Sequence, residues 1–223
     1  MNTEVQQIRK KLRLAMNGVI STSLREKGMN YKLIFGTPIP EIKLIAGSCT
    51  PSVSLAEDLW KEDVRELKIL ATLLYPAGDF RKETALQWIA DIKYMEIAEQ
   101  LCSNLIPNSP SVEEIVGACL ESDTPSEYTY VCAFLTLANM YIKEKTVSQE
   151  LETKFFAKAR EVLNCGISAS QRSASLALKR YGRKDRNSAA KVMELVSEYE
   201  NCGKAELEEI FNDLKFEFEY YFE

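Results

Sequence analysis

Apolar residues recur at helical spacing along almost the whole chain, and no segment alternates with period 2 for long enough to make a strand. That excludes sheet-based folds and leaves helix stacked on helix. The limiting case is "SEYTYVCAFLTLANMYIKEK", which is apolar on nearly every side from Tyr128 to Ile142. A helix of that kind has no face for water, so the pattern predicts a central, buried element.

The other elements follow from punctuation. Residues 3–27 read as one helix, with Val5, Ile8, Leu12, Met16, Val19 and Leu24 at helical spacing and Gly28 as a stop. Gly36, Pro38 and Pro40 mark a turn before a short helix from Pro40. "SLAEDLWKEDVRELKILATLL" reads as two short helices with a break near Glu62–Asp63. "ETALQWIADI" and "KYMEIAEQLCSNLI" form the next pair, and "SVEEIVGACLES" precedes the central helix. Helices over 147–164, Ser168 to Tyr181, Ser188 to Glu200 and Ala205 to Phe222 complete the series. Two-helix units recur about every 25–40 residues, the mark of a degenerate helical repeat. The expectation is an all-α, HEAT-like or ARM-like solenoid, an α–α superhelix of about 10–13 helices, forming one domain over 1–223. A compact irregular helical bundle is the alternative.

Composition narrows the chemistry. The chain has no histidine, so His-based triads, His metal ligands and the usual general base are excluded. Its six cysteines form no CxxC pair and read as small buried hydrophobes of a reducing cytoplasm. No metal or cofactor is implied. No apolar run approaches the roughly 18 residues of a membrane span, and the N-terminus shows no signal-peptide pattern. These features predict a cytoplasmic monomer. A net charge of −5 removes any global basic field, so a nucleic-acid contact needs a local patch. "LKRYGRKDRNSAAK" offers one: Lys179, Arg180, Arg183, Lys184, Arg186 and Lys191 against Asp185 alone, at a helix end followed by a helix start. The cluster Arg9, Lys10, Lys11 and Arg13 is one solvated helix face. Arg65 and Glu66 also read as a solvated charge network.

The run "YKLIFGTPIPEIKLIA" followed by "SLAEDLWKEDVRELKILATLL" resembles the N-terminal half of the DNA alkylation repair enzyme family, which are HEAT-like repeat DNA glycosylases. Phe35, Gly36, Leu55, Ala56, Leu59, Trp60, Glu66, Leu70, Ala71 and Leu73 carry the likeness. "MEIAEQLCSNL" resembles the family's second landmark helix and "SLALKRYGRKD" its late helix. The resemblance implies a protein that binds duplex DNA. It also implies a hydrolase that releases purines alkylated on a ring nitrogen. A cationic base leaves without prior protonation, so the missing histidines are no obstacle. A carboxylate then stabilises the sugar cation by charge, and aromatic rings approach the cationic nucleotide.

Carried over residue by residue, the resemblance sets Met95 and Glu99 where the family has Trp and Asp. Glu keeps the charge and moves the carboxylate by about an ångström, a shift that costs on the order of 100-fold in rate. Trp88 and Asp91 give a second placement. Tyr130 and Val131 stand at the family's arginine pair, beside Tyr128, and Leu176 stands at the late Trp. On its helix Glu99 lies about 200° from both Ile97 and Leu101 and shares a face with Met95 and Ser103. Outer surface and cleft both fit that position. Two functions stay open: a DNA-binding glycosylase relative with altered site residues, or a non-catalytic repeat module for protein or structured nucleic acid.

Overall fold

The structure, a computed structural model, describes residues 3–166 and 168–223. In chain order the helices are α1 (Thr3–Leu14), α2 (Gly18–Glu26), α3 (Ile39–Gly47), α4 (Val53–Trp60), α5 (Arg65–Leu74), α6 (Lys82–Ala90), α7 (Met95–Asn104), α8 (Val112–Leu120), α9 (Thr129–Ile142), α10 (Gln149–Leu163), α11 (Ala169–Gly182), α12 (Arg186–Val196) and α13 (Ala205–Tyr221). No strand forms among the described residues; a single parallel bridge pairs Leu33 with Val64. None of these helices is long and apolar enough to cross a membrane.

The chain packs as two units, residues 3–81 with Lys93–Pro110, and Lys82–Ile92 with Ser111–Glu223. In the first, α4 packs on α5, and α5 on α3 and α7. The extended segment Tyr31–Thr37 is caught between α5 and the α1–α2 corner. Asn17 N–H donates to the Phe35 carbonyl (2.9 Å), and the Ser21 hydroxyl donates to the Ile34 carbonyl (2.9 Å). Gly36 sits at φ +73°, and a Cβ there would lie 2.1 Å from the Asn17 carbonyl oxygen. Only glycine permits that approach.

Residues 3–27 are not one helix. The break after Leu14 is made by Asn17, whose side chain caps α2 by accepting from Ile20 N–H (3.1 Å). The corner leaves Met16 and Val19 exposed instead of buried, and Leu14 beside them is exposed too.

In the second unit α9 is the central helix. Every residue from Val131 to Ala138 is buried, as the all-round apolar pattern predicts. It packs on α8 and α11. Side-chain caps set the later helix starts: Ser148 for α10, Ser168 for α11 and Asp185 for α12. The last helix buries Leu207, Phe211, Leu214 and Phe218 and leaves Phe216 and Tyr220 outside. Gly182 of α11 lets Phe218 approach so closely that a Cβ would meet its ring at 2.2 Å. Of the six cysteines, Cys102, Cys119 and Cys132 are buried; Cys165 and Cys202, just past helix ends, are exposed.

Candidate nucleic-acid interface

In the first unit the charged residues of α5 and α7 build a knot that the sequence pattern misreads. Arg65 and Glu66 are not a solvated face: Glu66 is 0% exposed and Arg65 4%. Glu66 accepts two successive backbone N–H groups, from Phe35 (3.0 Å) and Gly36 (2.9 Å). Arg65 donates to Glu66 (2.8 Å) and to the Thr37 carbonyl (3.0 Å). Its other edge grips Glu96 with two bonds, at 2.7 and 2.6 Å. Burial pulls the Arg65 pKa down, but Glu96 and Glu66 more than offset it and leave it raised. The Gly36 turn and the Arg65–Glu66 pair thus meet directly, and α7 closes the knot with Glu96, 31 residues beyond Arg65.

Glu99 lies one turn beyond Glu96 on α7. It is exposed and makes no hydrogen bond or ion pair among the described residues. Loss of hydration at its carboxyl raises its pKa above the ordinary value, and the Glu96 charge adds to this. Met95, one turn back, is half-buried. Both belong to the first unit. The other candidates belong to the second.

There, Trp88 is buried on α6, and Asp91 is exposed just past the α6 end, its N–H bonded to the Gln87 and Trp88 carbonyls. Tyr128 is buried. The Tyr130 hydroxyl donates to the Ser122 carbonyl (2.9 Å), and Lys158 sits over its ring. Val131 is 0% exposed. Leu176 is half-buried in a groove of about 370 Å³ between α11 and α13, shared with Arg172, Lys179, Glu209 and Asp213.

The cationic run is balanced rather than bare. Lys179 pairs with Asp213 (2.7 Å) and Glu217 (3.6 Å). Arg183 pairs with Glu217 through Nε (2.7 Å) and Nη2 and stacks on Tyr221. Lys184 reaches Glu152 (3.3 Å) and covers the Tyr181 ring. Arg186 donates to the Phe222 carbonyl. Arg180, with a buried Nε lacking an acceptor, and the exposed Lys191 have no carboxylate partner among the described residues. Nor is the start of α12 an open N–H site. Asp185 fills it by accepting from Ser188 N–H (2.7 Å), and that bond first of all lowers the Asp185 pKa. The partners Glu152, Asp213 and Glu217 lie 32 or more residues from the cations, beyond the reach of a local reading.

Residues 8–191 match the family model described as DNA alkylation repair enzyme. The chain belongs to the DNA alkylation repair enzyme family. Membership agrees with the landmarks on α3–α5, where the turn at Gly36 and the buried Glu66 are joined by hydrogen bonds. The chain is also similar to a solved structure of a new family related to the HEAT-like repeat DNA glycosylases with affinity for branched DNA structures. The likeness has a TM-score of 0.76 and 12% identity, and covers 95% of this chain and 94% of that one. At that identity it shows the fold: a HEAT-like, all-helical repeat. No curated protein sequence matches the chain. The match to the DNA alkylation repair family ends at Lys191, so α13 lies beyond it.

Proposed function

We propose that this DNA alkylation repair family member binds branched or otherwise structured DNA and does not depend on base excision for its role. The observation that carries this is Val131. Where the resemblance calls for a guanidinium, the chain has a fully buried aliphatic side chain. Met95 and Leu176 likewise replace aromatic rings, so little remains to hold a cationic nucleotide. The cations on α11 and α12 are a contact for phosphate that needs no particular base. The relative's affinity for branched DNA supports the choice of substrate, and free cysteines suit a reducing cytoplasm.

A second reading, slow release of N3- or N7-alkylpurines, draws on one feature. Glu99 presents an exposed carboxylate with no cation holding it, which is what electrostatic support of a sugar cation requires. One pair of assays separates the readings. Junction DNA should bind with no release of N7-methylguanine above the spontaneous rate. Release that Glu99→Gln abolishes, with binding kept, overturns the non-excising account in favour of the second.

A further inference from the structure

We propose that α13 is an acidic brake on the DNA-contacting surface: Asp213 and Glu217 occupy the charges of Lys179 and Arg183 that a DNA phosphate would otherwise take. This rests on the reading of the α11–α12 run as a DNA contact. Arg183 donates twice to Glu217, and Lys179 sits between Asp213 and Glu217. Lys179, Arg183 and Glu217 are 17–29% exposed, so salt screens the Glu217 pairs less than it screens open surface pairs, while Asp213 is about half exposed. An approaching phosphate meets the carboxylates as like charges and must displace them to reach the cations.

The brake is held in place by packing. Leu207, Phe211, Leu214 and Phe218 are buried, and Phe218 lies against Gly182 with no room for a Cβ between them. Burying such side chains stabilises the docked helix strongly, so α13 stays put and its carboxylates stay beside the cations. α13 lies beyond residues 8–191 that match the family model, and its carboxylates temper a surface carried by α11 and α12. The partner whose access it sets is a polyanion with the charge density of DNA.

The test is the isosteric double variant Asp213→Asn/Glu217→Gln, measured on the full chain with fluorescent duplex and four-way junction DNA. Freeing two cations should tighten binding by about tenfold at low salt and steepen the log–log salt slope by about 1–2. Adding Lys179→Gln and Arg183→Gln should cancel the gain. The control Glu26→Gln/Glu41→Gln makes the same change in net charge at two exposed residues far along the chain, and it should gain little. If the wild type binds DNA and the double variant keeps its affinity and slope, or the control gains as much, the brake is refuted. If neither protein binds either DNA at low salt, the DNA-binding reading itself fails. Thermal melting of each variant shows whether α13 remains docked.

Discussion

Arg65 holds Glu96 with two parallel hydrogen bonds, Nε to Oε2 at 2.7 Å and Nη2 to Oε1 at 2.6 Å. The same guanidinium holds Glu66 and the Thr37 carbonyl, so one side chain ties α5, α7 and the extended segment together. Arg65→Met would leave the Glu66 carboxylate fully buried with only backbone donors. Breaking a buried pair from one side costs about 3–5 kcal/mol. Urea unfolding should show a loss in that range; a loss below about 1 kcal/mol contradicts the structural role given to the knot.

Glu99 makes a pH prediction with a definite sign. Its pKa is raised in the folded chain, so the fold holds that proton more tightly than the unfolded chain does. The contribution is complete below the ordinary carboxylate value of 4.5 and is lost as pH rises through the raised value. Glu99→Gln removes it and also the repulsion from Glu96 three residues away. The variant should be more stable than wild type at neutral pH by about 0.2–0.5 kcal/mol, with a flatter stability profile above pH 4.5. A clear loss of stability at neutral pH would mean that the Glu99 charge has a cationic partner.

Gly36→Ala should be among the most damaging small substitutions. Left-handed backbone alone costs an alanine about 1–2 kcal/mol, and its methyl would clash with the Asn17 carbonyl. Thermal unfolding checks this. A variant as stable as wild type would show that the α1–α2 corner and the Phe35 segment do not pack as described.

The two cations without carboxylate partners give the cleanest binding variants. Arg180→Ala and Lys191→Ala should each weaken DNA binding for every sequence and reduce the salt slope by about 1. Unchanged slopes in both would remove the end of α11 and the middle of α12 from the interface.

Much of the fold is legible in the sequence because its signals are local. The apolar circumference of α9, the serine caps of α10 and α11 and the break before Val64 each lie within a few residues of what they determine. The reading of α1 and α2 as one helix failed because the apolar period runs through Asn17 unbroken. The Asn17 cap on Ile20 N–H is local but does not interrupt that period, and the bond from Asn17 to Phe35 that fixes the corner is not local. The site is less legible for the same reason. Arg65 and Glu66 look solvated until Glu96 and the Phe35–Gly36 amides arrive from elsewhere. The cationic run looks bare until α13 brings Asp213 and Glu217 against it. Charges report their own position in a sequence but not their partners.

The most direct test of the central claim is a competition titration by fluorescence anisotropy. A labelled four-way junction is displaced by an unlabelled junction or by linear duplex of the same length and base composition. The measurement is repeated across a range of salt, because phosphate contacts make affinity fall with log salt. The account predicts that junction competes more strongly than duplex at every salt concentration. Equal competition by the two DNAs, or no binding to either at low salt, contradicts it.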